Sequence, residues 1–201
     1  MDFTTVTENL MRRGFAVSSF TSKEDAAAYL NTVIDETTVG FGGSVTLDEM
    51  GVYESLSAHN SCYWHWRQSE GMTEREMRNL ANGARVYLSS VNGLAETGEV
   101  INIDATANRV AAILYGHEKV YLVAGKNKIA PDYDTALWRA RNVASPKNAQ
   151  RLGVNTPCAV KGDRCYDCQS AGRICRTLSV LWEKPFGTDI EVILIDEELG
   201  Y

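Results

Sequence analysis

The sequence predicts an α/β fold built on a mostly parallel sheet. Strand patterns alternate along the chain with helical patterns of about 10–15 residues, the alternation typical of parallel sheets. Two strand patterns, 38–41 and 120–124, run directly into glycine. The second, Val-Tyr-Leu-Val-Ala, is apolar throughout, as expected of a strand buried on both faces.

The helix starts carry recognisable signals. A hydroxyl side chain followed three residues later by an acidic one is typical of a helix N-terminus. Segment 110–114 fits either a short helix or a buried strand, because periodicity alone does not choose between them. Predicted helix starts are Ser22 with Asp25, Thr46 with Glu49, Thr73 with Glu76, and Pro131 with Asp132; further predicted strands are 85–89, 99–103, 178–182 and 191–195.

Composition indicates an ordinary soluble globular chain. Of 201 residues, 44% are hydrophobic and 23% are charged, and the net charge is -6. Such an acidic chain is a poor default binder of nucleic acid or anionic membranes. The longest apolar run, 110–115, is far shorter than the roughly 20 residues that span a bilayer, and no signal peptide is recognisable. We therefore expect a cytoplasmic protein with neither nucleic acid nor membrane as partner.

The domain organisation is expected to be simple. Residues 1–155 are predicted to form one α/β domain. A cysteine-rich segment over 156–177 follows, where helical and strand periodicity stop and basic residues gather. Residues 178–201 are predicted to supply two closing strands of the same domain.

A glycine-rich loop is the first candidate ligand site. Gly42, Gly43, Ser44 and Thr46 lie between a predicted strand and a predicted helix, where open α/β sheets bind ligands. Glycine lets the backbone approach a ligand, amides at a helix start point at an anion, and the hydroxyls add donors. A plain strand-to-helix turn with a hydroxyl cap explains these residues equally well.

Charged side chains after the next predicted strand form a second candidate. Glu96 and Glu99 are placed to act in proton transfer, and Glu96 also as a nucleophile. A hairpin turn with solvated acids is the alternative. Asn108 is a candidate ligand contact, and Arg109 is suited to hold a carboxylate or phosphate with two hydrogen bonds. Arg109 equally fits a structural ion pair with Asp104.

Four cysteines gather in one short segment. Cys158, Cys165, Cys168 and Cys175 include a Cys-x-x-Cys pair, and this spacing suits one zinc ion or an iron–sulfur cluster without separating the two. Two disulfides or four unrelated thiols are the alternatives, although disulfides are uncommon in the cytosol. Cys62 stands apart and is expected in the core or a pocket.

An aromatic segment at 61–67 offers the last candidate. Its dense rings, with one histidine and one arginine, would suit the wall of a pocket for a flat or anionic ligand. A hydrophobic segment that covers the sheet is the interpretation that the pattern favours.

Several short motifs together resemble the LUD-domain family, named for lactate utilisation. The resemblance covers nearly the whole chain, and its cysteine stretch is similar to that of the stand-alone branch once called a domain of unknown function. The motifs are Gly42-Gly43-Ser44-Val45-Thr46, Thr97-Gly98-Glu99, Asn102-Ile103-Asp104, Asn108-Arg109-Val110, Val120–Gly125, Asn127-Lys128-Ile129, Arg141-Asn142-Val143-Ala144, Pro146, Asn148-Ala149 and Cys165–Cys175.

The resemblance implies a fold similar to the superfamily of ribose-phosphate isomerase, glucosamine-phosphate deaminase and CoA-transferases, an α/β sheet with helices on both faces. Lactate-utilisation operons encode three proteins that together oxidise lactate to pyruvate, and one of them joins this domain to iron–sulfur motifs. The resemblance therefore implies lactate-utilisation protein partners and favours iron–sulfur over zinc at the cysteines. Glu96-Thr97-Gly98 resembles the Glu-x-Gly of CoA-transferases in form only. The fold does not choose the substrate.

Two function classes follow. In the first, the protein binds a small anionic metabolite, namely a hydroxy acid, a keto acid or a phosphorylated compound. The loop at 42–46 then holds the anion, Arg109 adds charge, and Glu96 or Glu99 moves a proton. In the second, the protein is a non-catalytic subunit or sensor that docks onto a redox partner. The lack of a recognisable Cys–His or Ser–His pair favours the second class. The oligomeric state stays open, with a homo-oligomer among the options.

Overall fold

Six strands, all paired in parallel, form the main sheet of the computed structural model, which describes residues 1–67 and 70–201. The predicted α/β class with a mostly parallel sheet is therefore confirmed. The last strand along the chain inserts between the first and the seventh, so both ends of the sequence meet inside one sheet. In sheet order the strands are β1 (Ala16–Phe20), β10 (Asp189–Ile195), β7 (Lys119–Gly125), β4 (Val86–Ser90), β2 (Thr38–Phe41) and β3 (Ser61–Trp64).

A second, four-stranded sheet lies beside the first and was not predicted from the sequence. Its strands, in sheet order, are β8 (Ile129–Ala130), β5 (Gly93–Ala95), β6 (Val100–Asp104) and β9 (Thr177–Leu181). Strands β5 and β8 pair in parallel, whereas β6 pairs antiparallel with both β5 and β9. With three and two residues, β5 and β8 are too short to produce a recognisable alternation of polar and apolar residues.

Helices cover both faces of the main sheet, as the family resemblance implies. Alternate side chains of β7 show this directly. Val120 and Leu122 pack in one core with residues of α1 (Thr4–Arg12), α5 (Glu74–Asn82) and α6 (Asn108–Leu114). Tyr121 and Val123 pack in the other core with residues of α2 (Lys23–Val33), α3 (Val45–Glu49) and α4 (Val52–Leu56). Segment 110–114 thus belongs to a helix, which resolves the choice that periodicity left open.

The predicted helix caps are confirmed in part. Thr73 and Glu76 form the reciprocal capping box expected of them. The box predicted at Thr46 and Glu49 is wrong, because α3 begins earlier and Ser44 caps it, accepting a hydrogen bond from a backbone N–H of the helix at 3.2 Å. Thr46 is consequently buried inside the helix's first turn. Because the Thr46 hydroxyl does not cap the helix, it is available for a hydrogen bond with another side chain.

The chain after β8 is mainly helical until β9 begins. Helix α7 (Tyr133–Arg139) continues through a π-helical turn over Ala140–Ala144 into α8 (Ser145–Arg151). A short helix, α9 (Pro157–Lys161), opens the cysteine-rich segment, and the rest of that segment has no regular secondary structure. Among the residues that the structure describes, no helix is both long and apolar enough to cross a membrane.

Candidate functional site

A cavity of about 290 Å³ opens at the carboxyl ends of β2, β3 and β4. The segment 43–46 after β2 lines one side, and residues 90–92 at the end of β4 and 103–106, 108 and 109 at the end of β6 line another. The π-helical turn closes it with Ala144, and α8 closes it with Ser145, Asn148 and Arg151. Ligands of open α/β sheets bind at this edge, and the volume suits a small molecule.

Lys128 carries a buried amine on the wall of this cavity, with 3% of its surface exposed. Its Nζ donates hydrogen bonds to Thr46 Oγ1 at 2.7 Å and Ser90 Oγ at 2.6 Å. In the described part of the chain, no carboxylate lies within ion-pair distance of it. Burial, followed by the charges of Arg139 and Arg109, lowers the pKa of Lys128 to about 7.

The sheet topology brings these three residues together. Strand β4 lies between β2 and β7 and pairs with both. Ser90 is the last residue of β4, Thr46 follows β2 in α3, and Lys128 follows β7 in a 3₁₀ turn over Lys126–Lys128. Because neighbouring parallel strands end at the same edge, residues far apart in sequence meet there. Lys128 entered the sequence analysis only as part of a family motif. Its position shortly after a fully apolar strand is the sequence signal that could have identified Lys128 as a candidate site residue.

Arg109 holds the cavity's second wall in place. Its Nη1 donates to the Ser90 carbonyl at 3.1 Å and to Asn102 Oδ1 at 2.8 Å. Its Nη2 donates to Asn92 Oδ1 at 2.9 Å and to the Ile103 carbonyl at 2.6 Å. All four terminal N–H groups therefore have protein acceptors. Arg109 contributes positive charge at the cavity rather than the two-pronged clamp that the sequence suggested.

Asp104 does not form the ion pair with Arg109 that was the alternative. Its carboxylate instead accepts hydrogen bonds from the backbone N–H groups of Ala105, Arg109 and Val110, at 2.7, 3.0 and 3.2 Å. It thereby orders the loop that leads into α6. Ala107 in this loop has a φ of 66°, in the left-handed region that disfavours a Cβ atom. The next residue, Asn108, is the first residue of α6, and it lines the cavity.

Aromatic and cationic side chains complete the lining. His65 Nδ1 is buried and has no hydrogen-bond partner among the described residues. Burial, followed by the charge of Arg78, lowers the pKa of His65 to about 4, so the ring is neutral at neutral pH. The guanidinium carbon of Arg151 lies 4.8 Å from the centre of the Trp66 ring. The aromatic segment thus combines the two interpretations, a cover of the sheet and a pocket wall. Trp64 is buried on the sheet, and the next two residues line the cavity.

The structure brings together Gly43, Ser44, Thr46, Asn108 and Arg109, which all line the cavity. Gly42 lies directly behind them: a Cβ atom there would meet the Arg109 side chain at 3.0 Å. The two glycines, Ser44, Thr46 and Asn108 are the ligand-site candidates from the sequence, and Arg109 is the catalytic candidate that was expected to add charge beside them.

Glu96 and Glu99 lie outside the cavity, in the turn between β5 and β6. Glu99 accepts a hydrogen bond from Arg13 Nη2 at 2.6 Å and another from the Thr97 hydroxyl. The carbonyl of Glu96 accepts one from the Asn9 side chain at 2.6 Å. Both contacts tie the turn to the end of α1. A catalytic role for either glutamate stays a prediction, and it is separate from this cavity.

The four cysteines of the C-terminal segment are half-buried free thiols. In residues 1–67 and 70–201, no three His, Cys, Asp or Glu side chains are placed to hold a metal ion. As placed, the thiols therefore do not fit a tetrahedral zinc or a cluster, and the metal centre stays a prediction.

Arg173 organises this segment instead. Its Nη1 donates to the Cys168 carbonyl at 2.7 Å, its Nε to the Cys175 carbonyl at 2.9 Å, and its Nη2 to Asp167 at 3.2 Å. One guanidinium thus joins both ends of the loop that the Cys-x-x-Cys pair begins. Ile174, beside it, reaches the cavity.

Comparisons with known proteins agree with this fold. The chain is similar in structure to a DUF162 family protein from Deinococcus radiodurans, with a TM-score of 0.52 and 12% sequence identity over 97% of this chain and 99% of that one. At that identity the likeness shows the fold alone. No curated protein matches the sequence. The model of the LUD domain matches residues 4–195, and the chain therefore belongs to the LUD-domain family, the family named for lactate utilisation.

Proposed function

We propose that the cavity binds a small anionic metabolite, namely a hydroxy acid, a keto acid or a phosphorylated compound, and that Lys128 moves a proton on it. The observation that carries this proposal is the buried amine of Lys128, which has two hydroxyl partners and, among the described residues, no carboxylate partner. A buried cation without a counter-ion is costly, and an anionic ligand would offset that cost.

The charges that line the cavity support an anionic ligand. Its cationic residues are Arg78, Arg109, Lys128 and Arg151, and its acidic residues are Glu74 and Asp104. Glu74 forms an ion pair with Arg78 at 2.5 Å, and the carboxylate of Asp104 accepts hydrogen bonds from three backbone N–H groups. Positive charge is therefore in excess where a ligand would lie, and such an excess attracts and retains anions.

The protonation of Lys128 supports a part in catalysis. A general acid or base works best when its pKa lies near the operating pH. The pKa of Lys128, lowered to about 7, meets that condition. Lys128 therefore takes the proton-moving role that the sequence analysis had given to Glu96 or Glu99.

The family supports hydroxy acids and keto acids as the first ligands to test. Lactate and pyruvate differ by two electrons and two protons, so their interconversion needs an electron acceptor. We infer that such an acceptor belongs to lactate-utilisation protein partners in the cytosol, the iron–sulfur protein implied by the family resemblance among them.

A non-catalytic subunit that docks onto such a redox partner is the second candidate function. Large exposed side chains favour it. Tyr115, Trp182 and Phe186 are 78%, 67% and 108% exposed, and a Cβ atom at Gly187, next to Phe186, would lie 3.5 Å from the Tyr115 ring. Exposed aromatic residues are enriched in protein interfaces.

Calorimetric titration with lactate, pyruvate and a sugar phosphate tests the proposed function. We expect the wild type to bind at least one of them, Lys128→Met to lose that binding, and Lys126→Met to keep it. Lys126 is the matched control, because it belongs to the same turn but pairs with Asp196 at the surface. Absence of binding by the folded wild type, or equal binding by both variants, would overturn the proposal. Turnover of lactate by the single chain with an added electron acceptor would exclude the subunit function.

A further inference from the structure

We propose that Lys128 forms a covalent imine with the carbonyl carbon of a 2-oxo acid bound in the cavity. This inference rests on the proposed function and deepens it, because it selects one substrate class and one reacting atom.

Hydrogen bonding fixes the direction of the amine's lone pair. Ser90 Oγ donates to Thr46 Oγ1 at 3.2 Å, and Thr46 Oγ1 donates to the Leu199 carbonyl at 3.3 Å. Both hydroxyl protons are thus committed elsewhere, and both oxygens accept from Lys128 Nζ. A neutral amine has two N–H bonds. When both point at these oxygens, the lone pair takes the remaining tetrahedral position.

The surroundings favour the neutral, nucleophilic form of the amine. Burial, Arg139 and Arg109 disfavour the charged form, and Glu49 opposes them. Lysines that form imines are activated in this way, by burial or by a neighbouring cation. The arginines at the cavity also provide the charge that would hold the carboxylate of a 2-oxo acid.

The step balances without an oxidant or reductant. The lone pair of Nζ attacks the carbonyl carbon, so a C–N bond forms and the π electrons of the C=O bond move to oxygen. A proton from nitrogen passes to that oxygen. The resulting carbinolamine loses its hydroxyl group and a second proton as water, which leaves the C=N bond. The net change is loss of one water.

Reductive trapping tests the proposal. The protein is incubated with pyruvate, reduced with borohydride, and analysed by intact mass and peptide mapping. We expect one reduced pyruvate adduct, located at Lys128, and none when lactate replaces pyruvate, because lactate has no carbonyl group at C2. Lys126→Arg should keep the adduct, whereas Lys128→Arg and Lys128→Met should lose it.

The outcomes separate this inference from the proposed function. Pyruvate binding in the calorimeter without an adduct would overturn the imine and leave the proposed function standing. An adduct on Lys126 or spread over several lysines would overturn it as well, since that pattern reflects surface reactivity. Absence of an adduct, together with absence of binding of lactate, pyruvate and the sugar phosphate, would overturn both proposals. Mapping in the wild type needs no variant, so a variant that fails to fold does not weaken the test.

Discussion

Lys128 Nζ lies 2.6 Å from Ser90 Oγ, and the two residues come from the carboxyl ends of neighbouring strands, β7 and β4. This contact places an amine of lowered pKa and a hydroxyl on the wall of one cavity. It links the fold to the chemistry proposed for it, because parallel pairing of the strands brings their ends together.

The first prediction concerns the pH dependence of stability. Burial, followed by the charges of Arg139 and Arg109, holds the pKa of Lys128 at about 7 in the folded state, below the ordinary value of 10.5, although Glu49 acts to raise it. Between these two values the unfolded chain binds more protons, so the wild type gains stability relative to Lys128→Met as the pH rises, by up to about 1.4 kcal/mol per pH unit. Below pH 7 the difference should be constant. Urea denaturation of both proteins from pH 6 to pH 10 measures this difference in the free energy of unfolding. A difference that stays the same at every pH would contradict the lowered pKa of Lys128.

The second prediction concerns the loop beside the cavity. A Cβ atom at Gly43 would meet the His65 ring at 3.3 Å and the Trp66 ring at 3.4 Å. We expect Gly43→Leu to lose ligand binding while the protein stays folded, because the added side chain displaces two rings that line the cavity. Gly83→Leu is the control, since its nearest neighbouring atoms are 3.6 Å away. Unchanged calorimetric affinity of Gly43→Leu would contradict the ligand role of this loop.

The third prediction concerns the packing of α5 on β2. A Cβ atom at Gly40 would lie 2.1 Å from the Ala81 carbonyl oxygen, so the helix could not remain where it is. We expect Gly40→Ala to lower the free energy of unfolding by about 2 kcal/mol, in the range of overpacked cores. Gly187→Ala meets only the Tyr115 ring at 3.5 Å and should be neutral. Equal urea midpoints for the two variants would refute the close approach.

The fourth prediction concerns the cysteine-rich segment. Arg173→Gln removes hydrogen bonds to the Cys168 and Cys175 carbonyls, so the loop should open. We expect the backbone amides of this loop to exchange with deuterium faster than in the wild type, with those around Cys62 unchanged. Arg164→Gln is the matched control, because the Arg164 guanidinium stacks on Tyr166 and is outside this network. Identical labelling rates in both variants would argue against Arg173 as the organising group.

Metal analysis of anaerobically purified protein tests the centre predicted from cysteine spacing. About one equivalent of zinc, or of an iron–sulfur cluster, with Cys158, Cys165, Cys168 and Cys175 all protected, would confirm it. Four titratable thiols with less than about half an equivalent of metal would contradict it. The order of the segment would then depend on Arg173.

Short-range patterns predicted much of the fold correctly. The apolar run at 120–124 lies within β7 at the middle of the main sheet, and Thr73 caps α5 as its spacing indicated. Ser22 caps α2 by accepting a hydrogen bond from the backbone of Asp25 at 3.1 Å. Each of these signals acts between residues that are close in sequence. The second sheet was missed, because its shortest strands are defined by their pairing and not by a local pattern.

The sequence by itself determined the α/β class and the family, and it predicted the loop at 42–46 that lines the cavity, because glycine, capping hydroxyls and apolar periodicity act locally. Only the tertiary structure decided which charged groups meet. It joined Lys128 to Thr46 and Ser90 across three neighbouring strands and lowered the pKa of the amine by burial. It also placed Glu99 beside Arg13, away from the cavity. A side chain's chemistry depends on burial and on neighbours distant in sequence, and these exist only once the strands have paired.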